Sequence, residues 1–139
     1  RFGYSRDKRS DCVQIVIALV LTTEGYPLAH KVLPGNTIDN QTLRDFLENG
    51  NLRNCVNFPE AVLPRVPGTV RLAIANSNVP NMVGQISTCL AAAQLNIADL
   101  LNKSRGEYAY TLIDADGAIP DEVVDKIRAI DGVLSARVV

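Results

Sequence analysis

Between Thr69 and Val139 the apolar residues switch repeatedly between a spacing of about two and a spacing of about 3.6 residues, which restricts this stretch to a small set of layered folds. "VRLAIAN" alternates Val70, Leu72 and Ile74 with Arg71 and Ala73, a strand with one face turned inward. "PNMVGQISTCLAAAQ" places Met82, Ile86, Cys89, Leu90 and Ala93 on one helical stripe, with Pro80 suited to the first turn. "NIADLLNKS" and "YAYTLIDAD", joined by "RGE", read as an antiparallel hairpin. "IPDEVVDKIRAI" predicts a second helix, with Asp121, Glu122 and Asp125 toward its start and Lys126 and Arg128 toward its end, and "GVLSARVV" closes as a strand. The order β-α-β-β-α-β predicts a ferredoxin-like α+β fold, both helices covering one face of a four-stranded antiparallel sheet.

The preceding residues have a different character. In "VQIVIALVLTTEGYPLAHKVLPGN" two apolar runs flank the turn-rich "TTEGYP", which predicts a β-hairpin; the first run is apolar enough for a strand covered on both faces. "TIDNQTLRDFLEN" (Thr37 to Asn49) spaces Ile38, Leu43, Phe46 and Leu47 as a helix does, and Gly50 stands as its stop. Pro59, Pro64 and Pro67 in "NLRNCVNFPEAVLPRVPG" argue for an extended connector rather than a helix. Three segments are therefore expected: 1–42 as a hairpin piece, 43–68 as a helix end and proline-rich linker, and 69–139 as the α+β domain.

Composition narrows the chemistry. A net charge of −1 supplies no field to gather nucleic acid or an anionic membrane. The longest apolar run, Val13 to Leu21, is far short of the roughly 20 residues needed to span a bilayer. Cys12, Cys55 and Cys89 are odd in number and form no CxxC pair, which fits a reducing cytoplasm better than a disulfide framework. The single histidine, His30, lies in the hairpin segment beside Lys31 and reads as a surface residue, and Asp114 with Asp116 reads as a solvated strand end rather than a metal site. The basic run Arg6 to Arg9 reads as a solvated loop. Tyr108 and Tyr110 share a strand face but lack the glycine–aromatic signature of base-stacking sheets. No catalytic residue, metal or cofactor is expected from these patterns.

What remains is "ANSNVPNMVG" (Ala75 to Gly84), which leaves a strand and enters a helix through three asparagines. A helix N-terminus offers free N–H groups and partial positive charge to a carboxylate. Asn76 and Asn78 can both donate and accept, as the two ends of an amino acid require. The same asparagines also suit plain capping and turn chemistry.

"LENGNLRNCVNFPEAVLPR" and "RLAIANSNVPNMVGQISTCLAAAQLNIADLLNKSRGEYAYTLIDADG" resemble the C-terminal end of the bacterial D-3-phosphoglycerate dehydrogenase family, over about Leu43 to Val139. "VNFPE" is similar to the tail of that family's substrate domain, and 69–139 to its regulatory ACT domain. The resemblance implies a non-catalytic module that binds L-serine, the end product of serine biosynthesis, and pairs edge to edge into a homodimer with the effector between copies. By position it assigns ligand contacts to Asn76, Asn78 and Asn96, with the backbone of Val79, Pro80, Asn81 and Met82. The family's turn has glycine where this chain has Asn81. "FGYSRDKRSDCVQIVIALVLTTEGYPLAHKVLPGNTIDNQTL" is similar instead to an internal piece of DDE insertion-sequence transposases, lying between their catalytic aspartates, so Asp7, Asp11 and Asp39 are not metal ligands on that reading. Two other outcomes follow from the same residues: a ligand-free dimerising remnant of a gene fusion, or a DNA-binding fragment whose retention falls with salt.

Overall fold

The computed structural model describes residues 15–21, 27–34, 40–53, 55 and 57–139. Strands β1 (Ile15–Leu21) and β2 (Pro27–Pro34) form a separate two-stranded antiparallel sheet, with Ile17 opposite Val32 and a register shift between Val20 and Leu21. The hairpin is the one expected, although residues 22–26 of its turn lie outside the described residues, as do the Arg6–Arg9 run, Asp7, Asp11, Cys12 and Asp39. Helix α1 (Asn40–Asn49) ends at Gly50, whose φ of 68° no β-carbon would welcome. A β-carbon there would also sit 3.1 Å from both Ala73 and Leu112, so this glycine brings the helix end down onto the sheet.

The rest builds the ferredoxin-like α+β fold: β3 (Thr69–Ser77), α2 (Met82–Ala92), β4 (Ile97–Arg105), β5 (Tyr108–Asp116), α3 (Asp121–Arg128) and β6 (Val133–Val138). The strand order is β4-β5-β3-β6, every neighbouring pair antiparallel. Alternation along β3 and β5 sends Leu72, Ile74, Ile113 and Ala115 to one face, where they pack with Met82, Ile86 and Leu90 of α2 and Val123, Val124 and Ile127 of α3. Burying each such aliphatic side chain is worth about 1.5–3 kcal/mol, so this layer dominates folding. Cys89 packs half-buried at its margin, as a small apolar residue does. The acidic first turn and basic last turn expected for α3 are present. Pro80 is not helical: α2 begins two residues later, after Asn81.

The opposite face corrects the one-sided expectation for β3. Ala73, Ala75, Tyr110 and Leu112 are buried there beneath Leu52, Phe58, Ala61 and Leu63 of the proline-containing connector. The connector is extended, as its prolines require, and it folds back on itself through paired backbone bonds between Leu52 and Ala61 (2.8 and 3.0 Å). Phe58 lies 5.5 Å from the ring of Tyr108 and 6.1 Å from that of Tyr110, covering the tyrosine face. Tyr110 donates its hydroxyl to the Gly50 carbonyl at 2.8 Å, and burial pushes its phenol up to about 12, so it remains a neutral donor.

Arg71 and Asp114, expected outward on β3 and at a solvated strand end, are instead both fully buried. They pair across neighbouring strands as a two-point fork, Nε to Oδ1 at 2.6 Å and Nη2 to Oδ2 at 2.7 Å. The remaining guanidinium protons go to three carbonyls outside the sheet: Asn49 (3.1 Å), Leu63 (2.7 Å) and Pro64 (3.0 Å). Asp114 in turn accepts the Val66 amide at 3.2 Å. One ion pair therefore ties the end of α1 and the connector to the two central strands. The sequence suggested exposure because a charged residue in alternation is usually solvated. The connector's free carbonyls reverse that.

Burial alone would raise the Asp114 carboxyl, but the hydrogen bonds from Arg71 and Val66 outweigh it and hold the group below the usual carboxylate range. A depressed folded value means its stabilisation is complete above the unfolded value of about 3.9 and is lost as pH falls through the lower, folded value. Asp114→Ala should cost about 3–5 kcal/mol at neutral pH because it strands a buried guanidinium. Urea unfolding checks this, and a loss below about 1 kcal/mol would contradict the fully satisfied pair. The stability gap between the unaltered chain and Asp114→Asn should hold steady from pH 7 to about 5 and shrink only below about 4.

Candidate functional site at the β3–α2 turn

The turn between β3 and α2 is held by three backbone neighbours before any side chain is considered. The Ser77 amide donates to the Gly132 carbonyl at 2.7 Å, and the Asn78 amide to the Glu107 carbonyl at 2.8 Å. Gly132, at φ 90°, lies so close to Met82 that a β-carbon would stand 2.9 Å from its terminal methyl. The turn thus bridges the α3–β6 corner and the tip of the β4–β5 hairpin.

Asn81 adopts the left-handed conformation, φ 64° and ψ 10°, immediately before α2. This explains why glycine suits the position and why asparagine is tolerated there, being the residue other than glycine most at ease in that region. Its side chain makes no capping bond. It folds back over Gly84, where a β-carbon would lie 2.2 Å from Asn81 Oδ1. A glycine in a helical turn usually costs about 1 kcal/mol relative to alanine, and here it makes room for the asparagine. The first turn of α2 keeps its donors free of any side-chain cap, and no acid lies in it. That combination suits an incoming carboxylate.

The other asparagines are placed as follows. Asn78 is exposed and donates Nδ2 to the Gly106 carbonyl at 3.1 Å, clasping the hairpin tip. Val79 is also exposed. Met82 is buried in the main core, so only its backbone is offered. Asn76 is 1% exposed, and its amide is engaged within the chain: Nδ2 donates to the Ser77 carbonyl at 2.8 Å and Oδ1 accepts from the Thr111 hydroxyl at 3.2 Å. Thr111 accepts Asn102 Nδ2 at 2.7 Å. Neither Thr111 nor Asn102 was expected from sequence, since threonine is an ordinary strand former and the signal appears only in the register that sets Asn102 opposite Thr111.

Asn96 lies elsewhere. It stands before β4 and donates Nδ2 to Asp116 Oδ2 at 2.8 Å, while its carbonyl accepts the Asp116 amide. Asp116 ends β5 and Tyr108 begins it, next to the Glu107 that meets Asn78. The two ends of this nine-residue strand are roughly 27 Å apart at strand rise. Within one chain, then, Asn76, Asn78, Val79, Pro80, Asn81 and Met82 gather at one end of the sheet and Asn96 sits at the other.

Among the described residues no group of three His, Cys, Asp or Glu side chains could hold a metal ion, and no helix is long and apolar enough to cross a membrane. Burial raises the Cys55 thiol above its ordinary value, which leaves it less reactive, not more.

No family model matches the chain. It is 31% identical over 93 residues to D-3-phosphoglycerate dehydrogenase of Haemophilus influenzae, covering 67% of this chain and 23% of that protein. About two thirds of the chain is thus similar to part of a D-3-phosphoglycerate dehydrogenase. It is 28% identical over 93 residues to the enzyme of the same name from Dictyostelium discoideum, covering 67% of this chain and 22% of that one. The chain spans less than a quarter of the length of these relatives. Among solved structures, the crystal structure of the ACT domain from GTP pyrophosphokinase of Chlorobium tepidum superposes with a TM-score of 0.45 at 16% identity, covering 51% of this chain and 96% of that one. The quorum-quenching acylase GqqA gives 0.43 at 20% identity, covering 58% and 44%. At those scores nothing rests on the superpositions, and the fold is established by the strand order itself.

The left-handed turn makes a direct prediction. Asn81→Gly should leave the thermal midpoint nearly unchanged, whereas Asn81→Ala should lower stability by about 1 kcal/mol through backbone strain. Equal midpoints for the two variants in a thermal melt would refute the conformation described.

Proposed function

We propose that residues 69–139 form a regulatory, non-catalytic ACT-type domain that binds a small free amino acid, L-serine first among them, at the β3–α2 turn. The observation that carries this reading is the uncapped N-terminus of α2, with no acid in its first turn, beside Asn81 and Asn78. L-serine is put first by the family resemblance read in the sequence, with which the similarity to D-3-phosphoglycerate dehydrogenases agrees.

The position of Asn96 bears on assembly. β4 is an edge strand, bonded on one side to β5. Exposed edges favour pairing. Two copies joined antiparallel along β4 would set the start of one β4 beside the end of the other, bringing the partner copy's β4 start toward the Asn78–Gly106 clasp. The proposed site is then shared: α2 donors and Asn78 from one copy for the carboxylate, the start of β4 from the second for the ammonium or hydroxyl. The cysteine pattern supports a cytoplasmic setting. For residues 1–42 the likeness to a transposase segment brings no catalytic carboxylate, and we propose no activity for them.

Calorimetry on the full chain with L-serine and glycine at millimolar concentration tests the reading. Saturable heat with L-serine, reduced at least tenfold in affinity by Asn78→Ala, is the expected result. No heat and no thermal shift with either amino acid would remove it, and light scattering that shows a dimer unaffected by ligand would favour a purely structural pairing.

A further inference from the structure

The hydrogen bonds beneath the turn have a forced direction. The Ser77 carbonyl can only accept, so the amide nitrogen of Asn76 must face it. Asn76 then turns its oxygen to Thr111, which must donate its single hydroxyl proton there. With that proton committed, Thr111 can only accept from Asn102, whose amide nitrogen must face it. Three polar side chains on three adjacent strands, β4, β5 and β3, are thereby locked in one orientation by one backbone carbonyl. Asn76 and Thr111 lie fully inside, where an alternative orientation would leave a donor or acceptor unmade.

We infer that Asn102 and Thr111 are positioning residues for the ligand turn: they fix the Asn76 amide, which holds the Ser77 carbonyl and so the course of the chain from Ser77 to Asn81. This assignment rests on the amino-acid-binding reading and deepens it. Asn76 acts from below rather than as a ligand contact, because its side chain is buried and each end of its amide is engaged inside the chain. The relay starts on β4, the edge strand proposed to meet a second copy, and ends at the turn that would hold the ligand's carboxylate.

The experiment compares the full chain with Thr111→Val, Thr111→Ser and Asn102→Leu. Valine keeps the branched shape but removes the hydroxyl; serine keeps the hydroxyl. L-serine affinity by calorimetry should fall roughly tenfold in Thr111→Val and Asn102→Leu and recover in Thr111→Ser. In nitrogen–proton correlation spectra without ligand, the Asn76 side-chain amide and the backbone amides of Ser77, Asn78, Val79 and Asn81 should move in Thr111→Val and stay in place in Thr111→Ser. These resonances read the relay even if valine reduces stability. Equal affinity in the two Thr111 variants, or unmoved turn resonances in Thr111→Val, overturns the assignment alone. Failure of the unaltered chain to bind L-serine or glycine overturns both the assignment and the reading beneath it.

Discussion

The Arg71 guanidinium sits with no exposed surface between two layers of chain, and its five protons are divided between one carboxylate and three carbonyls. An unpaired charge in that position would be intolerable, so every segment it touches must be in place together. The consequence reaches far along the chain. Asn49 closes α1, Leu63 and Pro64 belong to the connector, and Asp114 belongs to the central strand β5. A stretch that reads as an extended linker becomes a third layer, clamped to the sheet by charge and sealed by Phe58 and Tyr110. Neighbouring contacts reinforce it: Arg65 reaches both Glu48 and Val139 carbonyls, and the Arg137 guanidinium lies 4.4 Å over the Phe46 ring.

That clamp has a bearing on how a ligand signal could travel. The helix-covered face of the sheet carries the candidate turn, and the opposite face carries the connector. β3 and β5 belong to both, with Ile74 and Ile113 facing the helices and Arg71 and Asp114 facing the connector. A shift of β3 at the turn would be felt at Arg71 through a strand, a rigid element, rather than across a slack tether.

Much of the architecture was legible from the order of residues. The order of elements, the β4–β5 hairpin, the charge polarity of α3 and the stop at Gly50 follow from local rules of period, turn chemistry and capping. The turn at Asn76 to Met82 was legible as a candidate site for the same reason, since strand, proline and helix adjoin there. The role of each asparagine was not. Asn76 turned inward because Thr111 was waiting on the neighbouring strand β5, two residues along from its register partner Ala109; Asn78 found Gly106; Asn81 took a left-handed backbone that its spacing does not announce. Asn96 carries the same side chain yet stands at the far end of the sheet.

By itself the sequence determined which stretches are strands and helices and how they succeed one another, because those depend on neighbours within a few residues. Only the tertiary structure decided that the second face of the sheet is covered, that Arg71 and Asp114 lie inside, and that Asn102, Thr111 and Asn76 form one directed chain. Those outcomes depend on strand register and on carbonyls brought from distant segments, and a side chain's exposure is set by what arrives against it.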